Sequence, residues 1–323
     1  MPESIGELGH LGIVSTSSLG HYLAPTTFTE LTSARIDSRR TDEFPANVRG
    51  TRAPRRAIKG QFRPEGTYSH PVAADGIIGY ELKGVFGAVA SSLINSHANG
   101  QVYRHVFTHV ESPGLPIWGI EKYNGGQDAQ RFSGIRFDSL TFTMPRGDTA
   151  PLTAELGVMG RDYITTTNAT PTFATDAYLV YEGMSALLSD AAYDATRNWG
   201  ITFRNNLAGD VMTAGQSGLR GRLPAQAFDV SGNLSLLFER WAEYNEWRSF
   251  TDQRLQFNIV GANIDGTNSY VRQLQIIVPL CKYTTPEIPL ETGVIDLNLG
   301  FTAVRPSTGT HAHCILFSTV GSY

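Results

Sequence analysis

The feature that most constrains this chain is an arrangement of segments that occurs twice. Each copy reads as a strand alternating around a central glycine, a helix bearing aromatic residues, and a second alternating strand. In the first half these are residues 56–66 (RAIKGQFRPEG), 73–92 and 102–109 (VYRHVFTH); in the second they are 228–239 (FDVSGNLSLLFE), 240–250 and 254–261 (RLQFNIVG). Gly60 and Gly232 are predicted to hold the same place in the two leading strands. Alternation puts one face of each strand against a core and the other toward solvent. A repeated sheet unit without catalytic residues is what a self-assembling structural protein carries.

With 323 residues the chain is long enough for two domains, and two separate cores are expected. Only 17% of residues are charged while 33 are glycine and 10% aromatic, a balance that favours sheets and turns over long exposed helices. The net charge is −4, and residues 166–323 hold the whole acidic excess. That excludes the overall basic balance of a protein that grips nucleic acid. The longest apolar runs, such as 276–281, fall far short of the ~20 residues that span a bilayer, so no membrane contact is expected. The start MPESIGELGH has neither a basic nor an apolar region of a secretory signal. A chain that stays in the cytoplasm is therefore expected, with Cys281 and Cys314 acting as buried small apolar residues.

Residues 1–50, rich in Ser, Thr and Gly, read as an extended arm or short strands joined by loops. The dense basic stretch Arg49, Arg52, Arg55, Arg56, Lys59 and Arg63 could contact phosphate, but in an acidic chain it reads as a solvated or partner-facing surface. Asp75 is a candidate N-cap for the first helix. Gly79, Gly84 and Gly87 weaken that helix by up to ~1 kcal/mol each, so packing must hold it. Residues 132–144 (FSGIRFDSLTFTM) alternate cleanly apart from a phase shift at Asp138–Ser139, which predicts a bulge. Residues 152–159 and 162–165 close the first unit, and 166–177 (TTNATPTFATDA) form the clearest boundary. Strands at 200–207, 270–280, 293–304 and 313–320 are expected in the second unit.

No catalytic constellation emerges. His311, His313 and Cys314 offer zinc-type donors without a fourth ligand nearby in sequence. His105 and His109 lie in an alternating segment and read as partly exposed strand histidines. Trp241, Tyr244 and Trp247 could stack on bases, but at helical spacing they read as a buried or interface-facing stripe. Phosphate loops, nucleophile elbows and HExxH are missing from the sequence. A carbohydrate-binding or hydrolytic sandwich would need an exposed aromatic platform or a carboxylate pair at defined separation, and the scattered Asp and Glu supply no convincing pair. Accordingly no catalytic, cofactor-binding or metal residue is assigned, no cofactor is expected, and the chain is read as a non-enzyme.

The order of several segments resembles a known family. These are 12–28 with Ala24-Pro25-Thr26, 48–56 (VRGTRAPRR), Gly60, 103–108, 115–122 (LPIWGIEK), 134–142 (GIRFDSLTF), 199–207 (WGITFRNNL) and 230–238. In succession they look like the tail tube (major tail) proteins of long-tailed bacteriophages, of the two-tube-domain type. Residues 219–224 (LRGRLP) depart from the family's pattern, which bears on loop length. The resemblance implies a mainly β fold of two tandem tube-type β-sandwich or β-barrel domains, each with a packed helix, forming a ring with an inner β-barrel. It places an N-terminal arm and the first strands of domain 1 in 1–50, tube domain 1 in 51–165, a linker in 166–177 and tube domain 2 in 178–323. The implied role is a structural subunit that self-assembles, three chains to a ring, into stacked rings whose channel carries DNA during ejection. The implied partners are copies of itself, a tape measure protein in the lumen, tail terminator and baseplate or tip proteins, and DNA in transient non-specific passage. The implied location is the virion tail, assembled in the host cytoplasm. A different β-rich virion protein, in a capsid or as a decoration protein, is the alternative.

Overall fold

A computed structural model describes residues 8–323 except 41, 45–56, 98–99, 113, 127, 148, 212–218, 265, 267–269 and 289–294. The first half runs β1 (His10–Thr16), β2 (Thr27–Thr29), β3 (Ser33–Arg40), β4 (Phe62–Pro71), α1 (Ile78–Phe86), β5 (Gly87–His97), β6 (Gly100–His109), β7 (Ile117–Tyr123), β8 (Ala129–Met144), β9 (Thr153–Met159) and β10 (Asp162–Thr166). The second runs β11 (Met184–Leu188), β12 (Ala191–Ala192), β13 (Thr196–Arg204), β14 (Asp229–Leu237), α2 (Ala242–Arg248), β15 (Gln253–Asn263), β16 (Val271–Glu287), β17 (Asp296–Ala303) and β18 (His313–Ser318). The protein is mainly β.

The second half repeats the pairing order of the first. β3, β4, β9 and the end of β8 are hydrogen-bonded in that order, and so are β13, β14, β17 and the end of β16. The start of β8 turns away to pair with β7 and β10, as the start of β16 does with β15 and β18. β1 with β2 on β7 corresponds to β11 with β12 on β15. The long strands β8 and β16 thus each belong to two layers, which lets one strand carry both faces of a core. In each, pairing with the next strand slips near the bend, between Phe137 and Ser139 and between Tyr283 and Pro286. The first slip is the bulge that the phase shift at Asp138–Ser139 predicts.

Four sequence expectations are corrected. The strand before α1 is β4, so Gly60 lies outside it, and the counterpart of Gly232 is Gly66. Gly66 faces Ile36 and Val158, while Gly232 faces Ile201 and Phe301. The first helix does not cover 73–92 but stops at Gly87, whose φ of 90° ends the helix and opens β5. Consequently the strand 102–109 belongs to a β5–β6 hairpin inserted in the first half alone, and the counterpart of β15 is β7. Asp75 does not cap α1: its carboxylate binds Arg272 at 2.7 Å and the Thr319 amide at 2.7 Å.

The buried side chains form one contiguous cluster spanning both halves rather than two separate cores. Strand pairing crosses between the halves at β8–β13 and at β6–β18, so the backbone ladders join what the chain length predicted to be apart. Arg220, 2% exposed, adds a latch, donating to Glu65 at 2.8 Å and to the Gly209 carbonyl at 3.0 Å. Residues 167–177 carry no strand, yet Glu121 accepts from the Ala169 amide and Asp176 from the Asp75 amide.

Candidate functional site

Through the β8–β13 junction the two four-strand sets form one continuous sheet in the order β3-β4-β9-β8-β13-β14-β17-β16. One face is core: Tyr68, Leu156, Phe142, Ile201, Leu234 and Leu299 are at most 1% exposed. Strict alternation then sends the intervening residues to the other face. There the centre carries Thr141, Thr143, Gly200, Thr202, Ser231, Asn233 and Thr302, which line an open depression of about 720 Å³. Thr141 and Thr202 bond each other at 3.0 Å across the junction. Small neutral hydroxyls and amides dominate. Two of the cations on this face have acidic neighbours, Arg39 with Glu65 and Lys282 with Asp252 at 2.5 Å. The result is a broad polar surface, with Arg146 at the rim of the depression and charges of both signs paired around it, that among the described residues offers no dense cationic grip for phosphate.

The sheet has two open ends. Among the described residues no strand pairs with the outer edge of β3, nor with the outer edge of β16 beyond Cys281. Exposed ladder groups of this kind invite pairing with another chain. Each end carries a side chain of its own chain on one carbonyl. Lys122 Nζ donates to the Ile36 carbonyl at 2.6 Å, and Trp247 Nε1 donates to the Thr284 carbonyl at 3.0 Å. Sequence reasoning did not single out Lys122; its place in LPIWGIEK, among apolar residues, was the available signal.

Buried charges pin the layers, and two of them border pockets, His70 one of about 440 Å³ and Arg220 one of about 310 Å³. Glu81 on α1 accepts from Tyr68 at 2.7 Å and contacts His70 Nε2 at 2.9 Å. Burial alone lowers the His70 pKa, but the Glu81 charge and hydrogen bond outweigh it and hold the imidazole above its ordinary value. Glu121 gathers His10, Arg131 and the Ala169 amide, tying β1, β7 and β8 to the chain that leads into the second half. His105, His109 and His313 are all pushed below the ordinary value by burial.

The sequence candidates fall as follows. His105 is fully buried, not partly exposed: it contacts Ser91 Oγ at 2.7 Å and lies edge-on to Tyr323. His109 stacks on Phe228 at 4.3 Å. Cys314 is buried with its thiol pushed up, and His313 reaches Thr310 at 3.2 Å. Cys281 is a separate buried free thiol pushed up to about 12. Among the described residues no group of three or more His, Cys, Asp or Glu could hold a metal. Phe238, Trp241 and Tyr244 meet edge to face and Trp247 lies tilted against Tyr244, forming an aromatic ladder beside the open end of β16, with Trp241 57% exposed. Arg49, Arg52, Arg55 and Arg56 of the basic stretch lie outside the described residues; Lys59 is exposed and Arg63 donates to Gln61. Among the described residues no helix is long and apolar enough to cross a membrane.

The profile of a family described as phage tail tube protein matches residues 6–303. No curated protein matches the chain.

Proposed function

The chain belongs to the phage tail tube protein family, a family of structural tail components, and on that premise we propose that the continuous polar sheet face lines the channel of the tube. The observation that supports this is the pairing of a core face with a polar face continuous through the β8–β13 junction, whose centre is lined by Thr, Ser, Asn and Gly and whose first-repeat strands carry charges of both signs, Arg35, Asp37, Arg39, Glu65 and Glu155. A lining that bound phosphates would hold DNA with a salt-dependent affinity at every ring; a neutral one lets it slide.

In this reading the chain contains two tube domains, 51–165 preceded by its first strands in 1–50, and 178–323, joined by 166–177. Each contributes four strands to the inner barrel, and three chains close a ring with approximate six-fold appearance. A head-to-tail contact that closes makes a ring, and stacking of rings extends it into a tube. Holding two domains in one chain halves the intermolecular docking steps and their entropic cost. The β5–β6 hairpin, present in one repeat only, reduces the true symmetry to three-fold. The tape measure protein fills the lumen until DNA replaces it, with terminator and baseplate or tip proteins at the two ends. Assembly takes place in the host cytoplasm.

Thr202→Arg places a cation at the centre of the proposed lining. Tubes of this variant should retain linear DNA in a salt-sensitive manner where the parent does not; equal retention by both would argue that the face lies elsewhere.

A further inference from the structure

The junction between the two halves is a contact that the repeat presents a second time with one side missing. At the inner junction α1 ends in Phe86, which is fully buried 5.0 Å from Phe203 on β13 and 5.6 Å from Phe228 just before β14. Asn205, which follows β13, donates its side-chain amide to the Val85 and Phe137 carbonyls and its backbone amide to the Asp138 carbonyl at the bulge. α1, the β8 bulge, β13 and Phe228 therefore form one sealed interface.

The same elements of the second half are uncovered. The turn after α2 reaches the left-handed conformation at Phe250, with φ 54°, where α1 reaches it at Gly87. Phe250 is 66% exposed and Trp241 57% exposed, with Lys282 resting over the Phe250 ring at 4.4 Å. At the β16 bulge the Thr284 carbonyl, counterpart of that of Asp138, is held by the Trp247 indole instead of a backbone amide.

The missing side exists at the other end of the same chain. Counting from the matched glycines Gly66 and Gly232, Phe62 stands where Phe228 does; counting from the matched isoleucines Ile36 and Ile201, Arg40 stands where Asn205 does. Beyond Phe62 the β3–β4 ribbon continues through the Glu43–Ile58 bridge and exposes Phe44 at 62% and Ile58 at 52%. One open end thus presents an aromatic platform, and the other an apolar ribbon.

We propose that the α2 platform of Trp241 and Phe250, with the end of β16, is the docking surface for the ribbon carrying Phe44, Ile58 and Phe62 of a second copy of this chain. The contact reproduces between chains what α1 makes with Phe203 and Phe228 inside one. On docking, the Arg40 backbone amide of the incoming copy takes the Thr284 carbonyl and releases Trp247. This rests on the tube reading and specifies where its subunits meet.

The test uses two full-length variants, Trp241→Ser with Phe250→Ser and Phe44→Ser with Ile58→Ser. All four residues are exposed, so both variants should keep the parent's circular dichroism and melting temperature. Each alone should assemble at least about tenfold less than the parent by sedimentation, since exposed apolar anchors dominate such contacts. Mixed one to one, the two should form a dimer and nothing larger, because each retains the half that the other lost. Normal rings from either variant would assign the platform to another tail protein and overturn the proposal while leaving the tube reading intact. A mixture that stays monomeric, or that restores full rings, would also overturn it. A parent that never self-associates would remove both readings.

Discussion

Gly66 and Gly232 stand at matching points of the two repeats, each opposite a buried isoleucine, and at each a Cβ would collide with the carbonyl oxygen before that isoleucine. The distances would be 1.9 Å to Arg35 and 2.2 Å to Gly200. The close approach of strands, not a turn, is what requires glycine here. Gly66→Ala and Gly232→Ala should each destabilise the fold by about 1–3 kcal/mol in urea unfolding. Gly114→Ala, whose nearest contact would be Ser112 Oγ at 3.5 Å, should stay within about 0.5 kcal/mol of the parent.

Phe86→Ala tests the seal between the halves. The ring is fully buried against Phe203 and Phe228, so its removal should cost about 3–5 kcal/mol and expose the β8–β13 region to hydrogen exchange. An unchanged exchange pattern there would mean that the strand ladder alone holds the halves.

Arg220→Ala removes the latch to Glu65 and leaves the Gly209 carbonyl without its donor. The loss should be about 1–3 kcal/mol, and Arg220→Lys should recover only part of it, because the guanidinium serves several acceptors at once.

The histidines set the pH response. His105, His109 and His313 have lowered values in the folded state, so the unfolded chain binds more protons and their contribution is lost as pH falls through the ordinary value near 6.5. His70 has a raised value and acts oppositely: its contribution is complete below 6.5 and fades as pH rises through its higher folded value. Stability should therefore rise between about pH 5 and 7. In His70→Gln the rise should be steeper; a shallower rise would reverse the sign assigned to the Glu81 pair.

Much of the architecture was legible because alternation is a local signal. Residues 132–144 gave β8 and its bulge, whereas the spacing of Trp241, Tyr244 and Trp247, which reads as a buried or interface-facing stripe, marked the α2 region but not that Trp241 stands 57% exposed. What escaped was set by tertiary contacts. Gly66 could not be preferred over Gly60 without knowing that Ile36 lies opposite, and Gly87 reads as a weak helix residue until its positive φ turns the chain into β5. The single core was hidden for the same reason, since β8–β13 and β6–β18 join residues far apart in sequence. The polar face was visible only as scattered Thr and Ser until the strand order aligned Thr141 with Thr202.

The most direct measurement is a side-chain-resolution reconstruction of the assembled tube. The account predicts three chains in each ring, with Thr141, Thr202, Asn233 and Thr302 on the channel wall. Six chains per ring would refute the trimer, and a tube with this face turned outward or buried against another protein would contradict the central claim.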